Sequence, residues 1–121
     1  NKMDISTETL MLNAAKVIAA QDASNGLLSN QSLKSLRDEL NVSHVFIIDR
    51  NGKFIRSTNE DAALIPNLYS FCGDYKKLIQ GTSLVEATPV IKPDPEPNPH
   101  KFLSIPSDDK NRIIEVGVRV E

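Results

Sequence analysis

The stretch that most constrains this chain is Ser43 to Thr58, SHVFIIDRNGKFIRST, in which two runs rich in β-branched and aromatic residues are joined through Asp49-Arg50-Asn51-Gly52. Asn and Gly both tolerate the positive φ that tight connections between strands demand, so the stretch predicts a β-hairpin. The length of its turn decides which side chains share a face. With Asn51-Gly52 alone as the loop, Ile48 lies opposite Ile55, and Arg56 sits with Val45, Ile47 and Phe54. With Arg50-Asn51-Gly52 as the loop, closed by Gly52 in the left-handed region, the register moves by one residue and Arg56 joins Phe46, Ile48 and Phe54. In either case both faces are largely apolar. That requires a sheet covered on both sides, or covered on one and hollowed on the other.

Met3 to Gln21 contains no Gly or Pro, and Leu10, Met11, Ala14, Val17 and Ile18 recur at helical spacing. This predicts a long amphipathic helix, capped by Asp4 or Ser6 and stopped by Asp22 to Gly26. Its stripe packs on the domain's own core or serves as a seam between two copies. A second helix is expected from Gln31 to Leu40, capped by Ser29 or Asn30, with Leu33, Leu36 and Leu40 inward. After the hairpin, Asn59 to Gly73 is irregular, yet Leu64, Ile65, Leu68, Tyr69 and Phe71 mean that it covers apolar surface. Asp74 then caps a short helix, Tyr75 to Gln80, ended by Gly81. Val85 to Lys92 reads as a strand, and Pro93 to Pro99 as an extended connector. The last hairpin pairs Lys101 to Ile105 with Arg112 to Val120, turning through Ser107 to Asn111. In its second strand Ile114, Val116, Val118 and Val120 alternate with Glu115, Gly117 and Arg119, the pattern of a central strand with one wet face. No strand-helix-strand alternation with long crossovers is present. The expected class is therefore α+β, an antiparallel sheet with helices gathered to one side.

The 121 residues suit a single domain spanning 1–121. A net charge of -2 without a basic stripe lacks the footprint of a nucleic-acid partner, and no apolar run is long enough to cross a membrane. The chain opens on Asn1 and closes at Glu121 within a strand-like pattern, which reads as a fragment of a larger protein whose flanks hold membrane spans. Counting from Asp49 gives an echo of a calcium loop, but Phe54 occupies the place where the sharp turn needs glycine. His44, His100 and Cys72 lie far apart in the sequence, so no metal site and no cofactor are expected. There is no phosphate-cradling glycine loop, and Asp108-Asp109 falls in a solvated turn, so no catalytic residue is assigned. What remains is a small-molecule pocket between the sheet and Asn59 to Gly81. Its candidate ligand-binding residues are Arg56, Tyr69, Tyr75, Thr88 and Lys101, and the two cations among them suit an anionic ligand.

The segments VFIIDRNGKFIRSTN, GDYKKLIQG, EATPVI, HKFLSI and RIIEVGV, in that order, resemble the extracytoplasmic PAS-like sensor domains called Cache or PDC domains. These occur in bacterial sensor histidine kinases, chemoreceptors and diguanylate cyclases, and the similarity spans Met3 to Val120. The resemblance implies five antiparallel strands in the order 2-1-5-4-3, with the first helix on one face and a ligand cavity under Asn59 to Gly81 on the other. It also implies a cell-membrane receptor, a small-molecule ligand sensed outside the cytoplasm, no enzymatic activity, and a signalling module beyond Val120. Two departures stand out. Citrate and dicarboxylate sensors of this fold carry Arg and His after the first hairpin glycine, where this chain has Phe54 and Ser57. The chain also has no Trp, so the tryptophan-containing amino-acid motif of double Cache receptors is not intact. A ligand-free dimerising module, joined through the first helix, and a cytoplasmic PAS-like domain are the alternatives.

Overall fold

The structure, a computed structural model, describes residues 2–59, 64–92 and 98–120, and side chains from residue 6 onward. Strands β1 (His44–Asp49) and β2 (Phe54–Ser57) form the expected hairpin. The Asp49 carboxylate accepts the N–H groups of Asn51 and Lys53 at 2.9 and 3.0 Å, and the Asp49 N–H donates to Lys53 O at 2.8 Å. The loop is therefore Arg50-Asn51-Gly52, with Gly52 at φ +89°. Glycine is needed there twice over, since a Cβ would also run into the side chains of Asn67 and Tyr69.

This longer turn by itself puts Arg56 on the face of Phe46. A bulge reverses that outcome: Ile48 pairs with Phe54, but Ile47 pairs with Arg56 and Phe46 with Ser57, so Ile55 is the extra residue. Arg56 thus shares the face of Ile47, while Phe54 stays on that of Ile48. Neither turn length alone anticipates this combination.

Five strands make one antiparallel sheet in the order β2-β1-β5-β4-β3, completed by β3 (Glu86–Ala87), β4 (His100–Pro106) and β5 (Arg112–Arg119). The third strand is shorter than the run Val85 to Lys92 suggested. Beyond it Thr88 donates its N–H to Phe102 O, and Ile91 forms an isolated bridge with His100. The connector Pro93 to Pro97 and residues 60–63 of the lid segment lie outside the described residues.

Helix α1 (Lys2–Asn25) begins ahead of both Asp4 and Ser6, so neither is its cap, and it ends within the expected stop, at Asn25 before Gly26 with φ +75°. Its stripe also divides. Met11, Ala14, Ala15 and Ile18 are buried against Val45, Ile47, Leu103, Ile105, Ile114 and Val116, whereas Leu10 and Val17 are 40% and 42% exposed. Helix α2 (Asn30–Leu40) is capped by Ser29, whose Oγ accepts the Ser32 N–H at 3.1 Å, and it buries Leu33 fully. Each fully buried aliphatic side chain on this face contributes about 1.5–3 kcal/mol.

The opposite face is covered by the short helix α3 (Leu68–Phe71), a 3₁₀ turn (Gly73–Tyr75) and helix α4 (Lys76–Gln80). Leu68, Tyr75 and Leu78 pack on Phe46, Ile48 and Ile113. This lid corrects the expected wet face of the last strand. Glu115 points beneath it and is buried, as are the apolar neighbours on the helix side. Among the described residues no helix is long and apolar enough to cross a membrane.

Candidate functional site

The lid face carries most of the sheet's buried polarity, and the strand register explains how. Ser57, Phe46, Glu115, Ser104 and Glu86 form one row across all five strands. Next to it His44, Gly117 and Phe102 form a second. Thr88 brackets Phe102, donating its N–H to Phe102 O at 2.8 Å and accepting the Phe102 N–H on Oγ1 at 2.9 Å.

At the centre of the first row the Glu115 carboxylate accepts the Ser104 hydroxyl at 2.9 Å. Burial pushes the Glu115 carboxyl up to about 7, against a smaller downward pull from that hydrogen bond. Above it, Tyr75 is buried with a hydroxyl that has no hydrogen-bond partner among the described residues. Burial first, then the Glu115 charge, raises the Tyr75 hydroxyl well above its ordinary range; Ser104 eases that shift without reaching acceptable hydrogen-bond geometry. Cys72 is raised in the same way, by burial and then by Glu115. Glu115, Ser104, Tyr75 and Cys72 therefore make one water-poor polar cluster between lid and sheet, able to give and accept hydrogen bonds.

Of the five residues singled out in the sequence, the structure brings Tyr75 and Thr88 to this face. Tyr69 also belongs to the lid, but at its hairpin end. There its hydroxyl donates to Arg50 O at 2.8 Å, and Lys76 Nζ lies 5.4 Å from its ring centre, beside a hollow of about 300 Å³. Arg56 and Lys101 stand on the other side of the sheet. Arg56 Nε donates to Leu28 O at 3.1 Å and Nη1 to Ile55 O at 2.7 Å, while Lys101 Nζ pairs with Glu8 of α1 at 2.9 Å. The bulge at Ile55 explains the first placement and strand parity the second, since Lys101 alternates with Phe102. Glu115 and Ser104 were missed because a charged or hydroxyl residue in an alternating strand reads as solvent-facing.

No protein-family model matches the chain, and no curated protein matches it. Solved structures do. The Bacillus subtilis YkuI protein, which has an EAL domain and was solved with its substrate c-di-GMP and calcium, aligns with a TM-score of 0.66 at 12% identity, covering 99% of this chain and 35% of that one. The sensory domain of the Campylobacter jejuni chemoreceptor Tlp3, solved with isoleucine bound, gives 0.63 at 16% identity, covering 98% and 52%. The sensor domain of the Vibrio cholerae histidine kinase DctB gives 0.61 at 17%, covering 95% and 45%. The chain therefore shares its fold with the sensory domains of this chemoreceptor and this histidine kinase. The chain spans from about a third to about half of these Cache-like and related chains.

Proposed function

We propose that this Cache-like domain is the sensing part of a bacterial signal-transduction receptor and binds a small molecule against the lid face of its sheet. The observation that carries the reading is the Tyr75 hydroxyl, buried beside Glu115 under a lid of short helices and without a hydrogen-bond partner among the described residues. A buried hydroxyl left unsatisfied costs about 1–3 kcal/mol, which a ligand with a matching polar group recovers. With Arg56 and Lys101 on the helix side, the cluster offers a carboxyl and hydroxyls and, among the described residues, no Lys or Arg. It therefore suits a ligand bearing an amine or another hydrogen-bond donor more than the anion suggested by the sequence. The isoleucine held by the Tlp3 sensory domain is a molecule with such an amine. Sensing requires that the ligand bind one packing of the lid more tightly than another. By analogy with the chemoreceptor and histidine kinase, the domain would lie outside the cytoplasm and take no catalytic part.

Thermal-shift screening of amino acids, amines, carboxylates and sugars tests this reading. An amine-bearing class is expected to raise the Tm by several degrees. Tyr75→Phe should raise the Tm of the free domain and yet lose the ligand-induced gain. Absence of stabilisation by every class would overturn the proposal.

A second reading, a dimer through α1, is favoured by an open groove of about 530 Å³ lined by Leu10, Asn13, Val17 and Leu40 among others. Sedimentation equilibrium should show a concentration-dependent dimer that Val17→Glu shifts to monomer. A chain that stays monomeric at the highest concentration removes this reading.

A further inference from the structure

The chain has two histidines. They stand 56 residues apart in sequence, and the fold brings their Nε2 atoms to 3.2 Å. His44 lies on β1 and His100 on β4, with β5 between them. Between them on β5 Gly117 stands opposite His44 and Phe102, and a Cβ there would lie 2.6 Å from the Phe102 ring and 3.4 Å from the His44 Cβ. Each ring is also held by an aromatic neighbour, His44 stacked on Phe46 with centroids 6.0 Å apart and His100 on Phe102 at 5.9 Å.

The protonation pattern of His100 follows from its partner. His100 Nδ1 lies 2.8 Å from Asn98 O, and a carbonyl oxygen can only accept, so Nδ1 carries the proton and donates it. In the neutral ring Nε2 is then a bare lone pair directed at His44. An imidazole whose far nitrogen donates to a backbone carbonyl is the arrangement that orients histidine as a metal ligand. The spacing fits as well. With metal–nitrogen bonds of about 2.0–2.1 Å, two nitrogens on a tetrahedral ion stand about 3.3 Å apart. His100 is buried and His44 is half-buried.

We propose that His44 and His100 form a binding site for a divalent late-transition-metal ion of the Zn²⁺, Ni²⁺ and Cu²⁺ class. Imidazole suits all three, with Cu²⁺ the tightest by the usual order of affinities. Among the described residues no third His, Cys, Asp or Glu joins the pair. The proposal does not depend on the sensing function. The distance from His44 to His100 in sequence hid it, since metal spacing is read locally.

Because the chain has no other histidine, the test is direct. The whole chain is titrated with Zn²⁺ by calorimetry at neutral pH, beside His44→Gln and His100→Gln, each checked for folding by circular dichroism. One saturable equivalent is expected, weakened at least tenfold in either variant. The Cu²⁺ form should show splitting from two imidazole nitrogens by electron paramagnetic resonance, reduced to one in His44→Gln, whose half-buried position should leave the fold intact. No saturable Zn²⁺ binding would mean a hydrogen-bonded histidine pair only and overturn the proposal. So would an affinity unchanged in His44→Gln, which would place the metal on Cys72 or the chain terminus.

Discussion

Glu115→Gln is expected to stabilise the domain at pH 8 by about 3 kcal/mol, seen as a rise in Tm on the order of 10 °C. The reason is the carboxyl's position under the lid, fully buried and with Ser104 as its hydrogen-bond donor. Its ordinary value is 4.5 and in the folded state it lies at about 7. The folded state therefore holds the proton through a range where the unfolded chain has released it. Stability is full below about pH 4.5, falls as the pH rises, and reaches its lower plateau above about pH 7. Gln keeps the shape and the hydrogen bond to Ser104 without a charge to bury, so the variant should show a flat profile across that window. Urea unfolding of both proteins at pH 5 and pH 8 checks it. If the wild type were as stable at pH 8 as at pH 5, Glu115 would not be held in its neutral form.

Asp22→Ala should act in the opposite direction, with a loss of about 3 kcal/mol. Asp22 is 4% exposed. One oxygen receives Arg112 Nη1 at 2.6 Å, and the other receives the Leu28 N–H at 3.1 Å. Removing the carboxylate leaves Arg112 without its partner and Leu28 with an unmade hydrogen bond, and it loosens the joint between α1, the connection to α2, and the start of β5. The estimate sits at the low end for a buried pair because Arg112 is itself partly solvated. Chemical denaturation of Asp22→Ala, Arg112→Met and the double variant separates the pair's coupling from the effect on Leu28. A cost below about 1 kcal/mol for Asp22→Ala would show that this contact does not fasten the helix.

Much of the architecture is written in local patterns. Asn51-Gly52 marks the hairpin, Ser29 and Gly81 mark helix ends, and β-branched alternation marks β5. Such signals act within a few residues, so one sequence suffices to read them. What the sequence does not show depends on distant partners. Nothing in Phe54-Ile55-Arg56 announces a bulge, yet the bulge sends Arg56 to Leu28 instead of under the lid. Glu115 alternates with valine and isoleucine as a solvent-facing residue would, and only the packing of Leu68 to Leu78 overhead makes it buried. The two histidines are ordinary until strands β1 and β4 bring their rings together across β5. The same gap explains why Lys101 looked suitable for a ligand: its neighbour Phe102 faces the lid, and a shift of one residue exchanges the two.

The ion pairs at either end of α1 limit how this domain can move. Glu8 and Asp22 are fourteen residues apart on one helix, about 21 Å at 1.5 Å per residue. Their partners, Lys101 and Arg112, belong to adjacent strands. A piston stroke of α1 by one turn, about 5.4 Å, would break both pairs at once and drag Met11 and Ile18 out of their seats. Helix and sheet are therefore braced as a single beam.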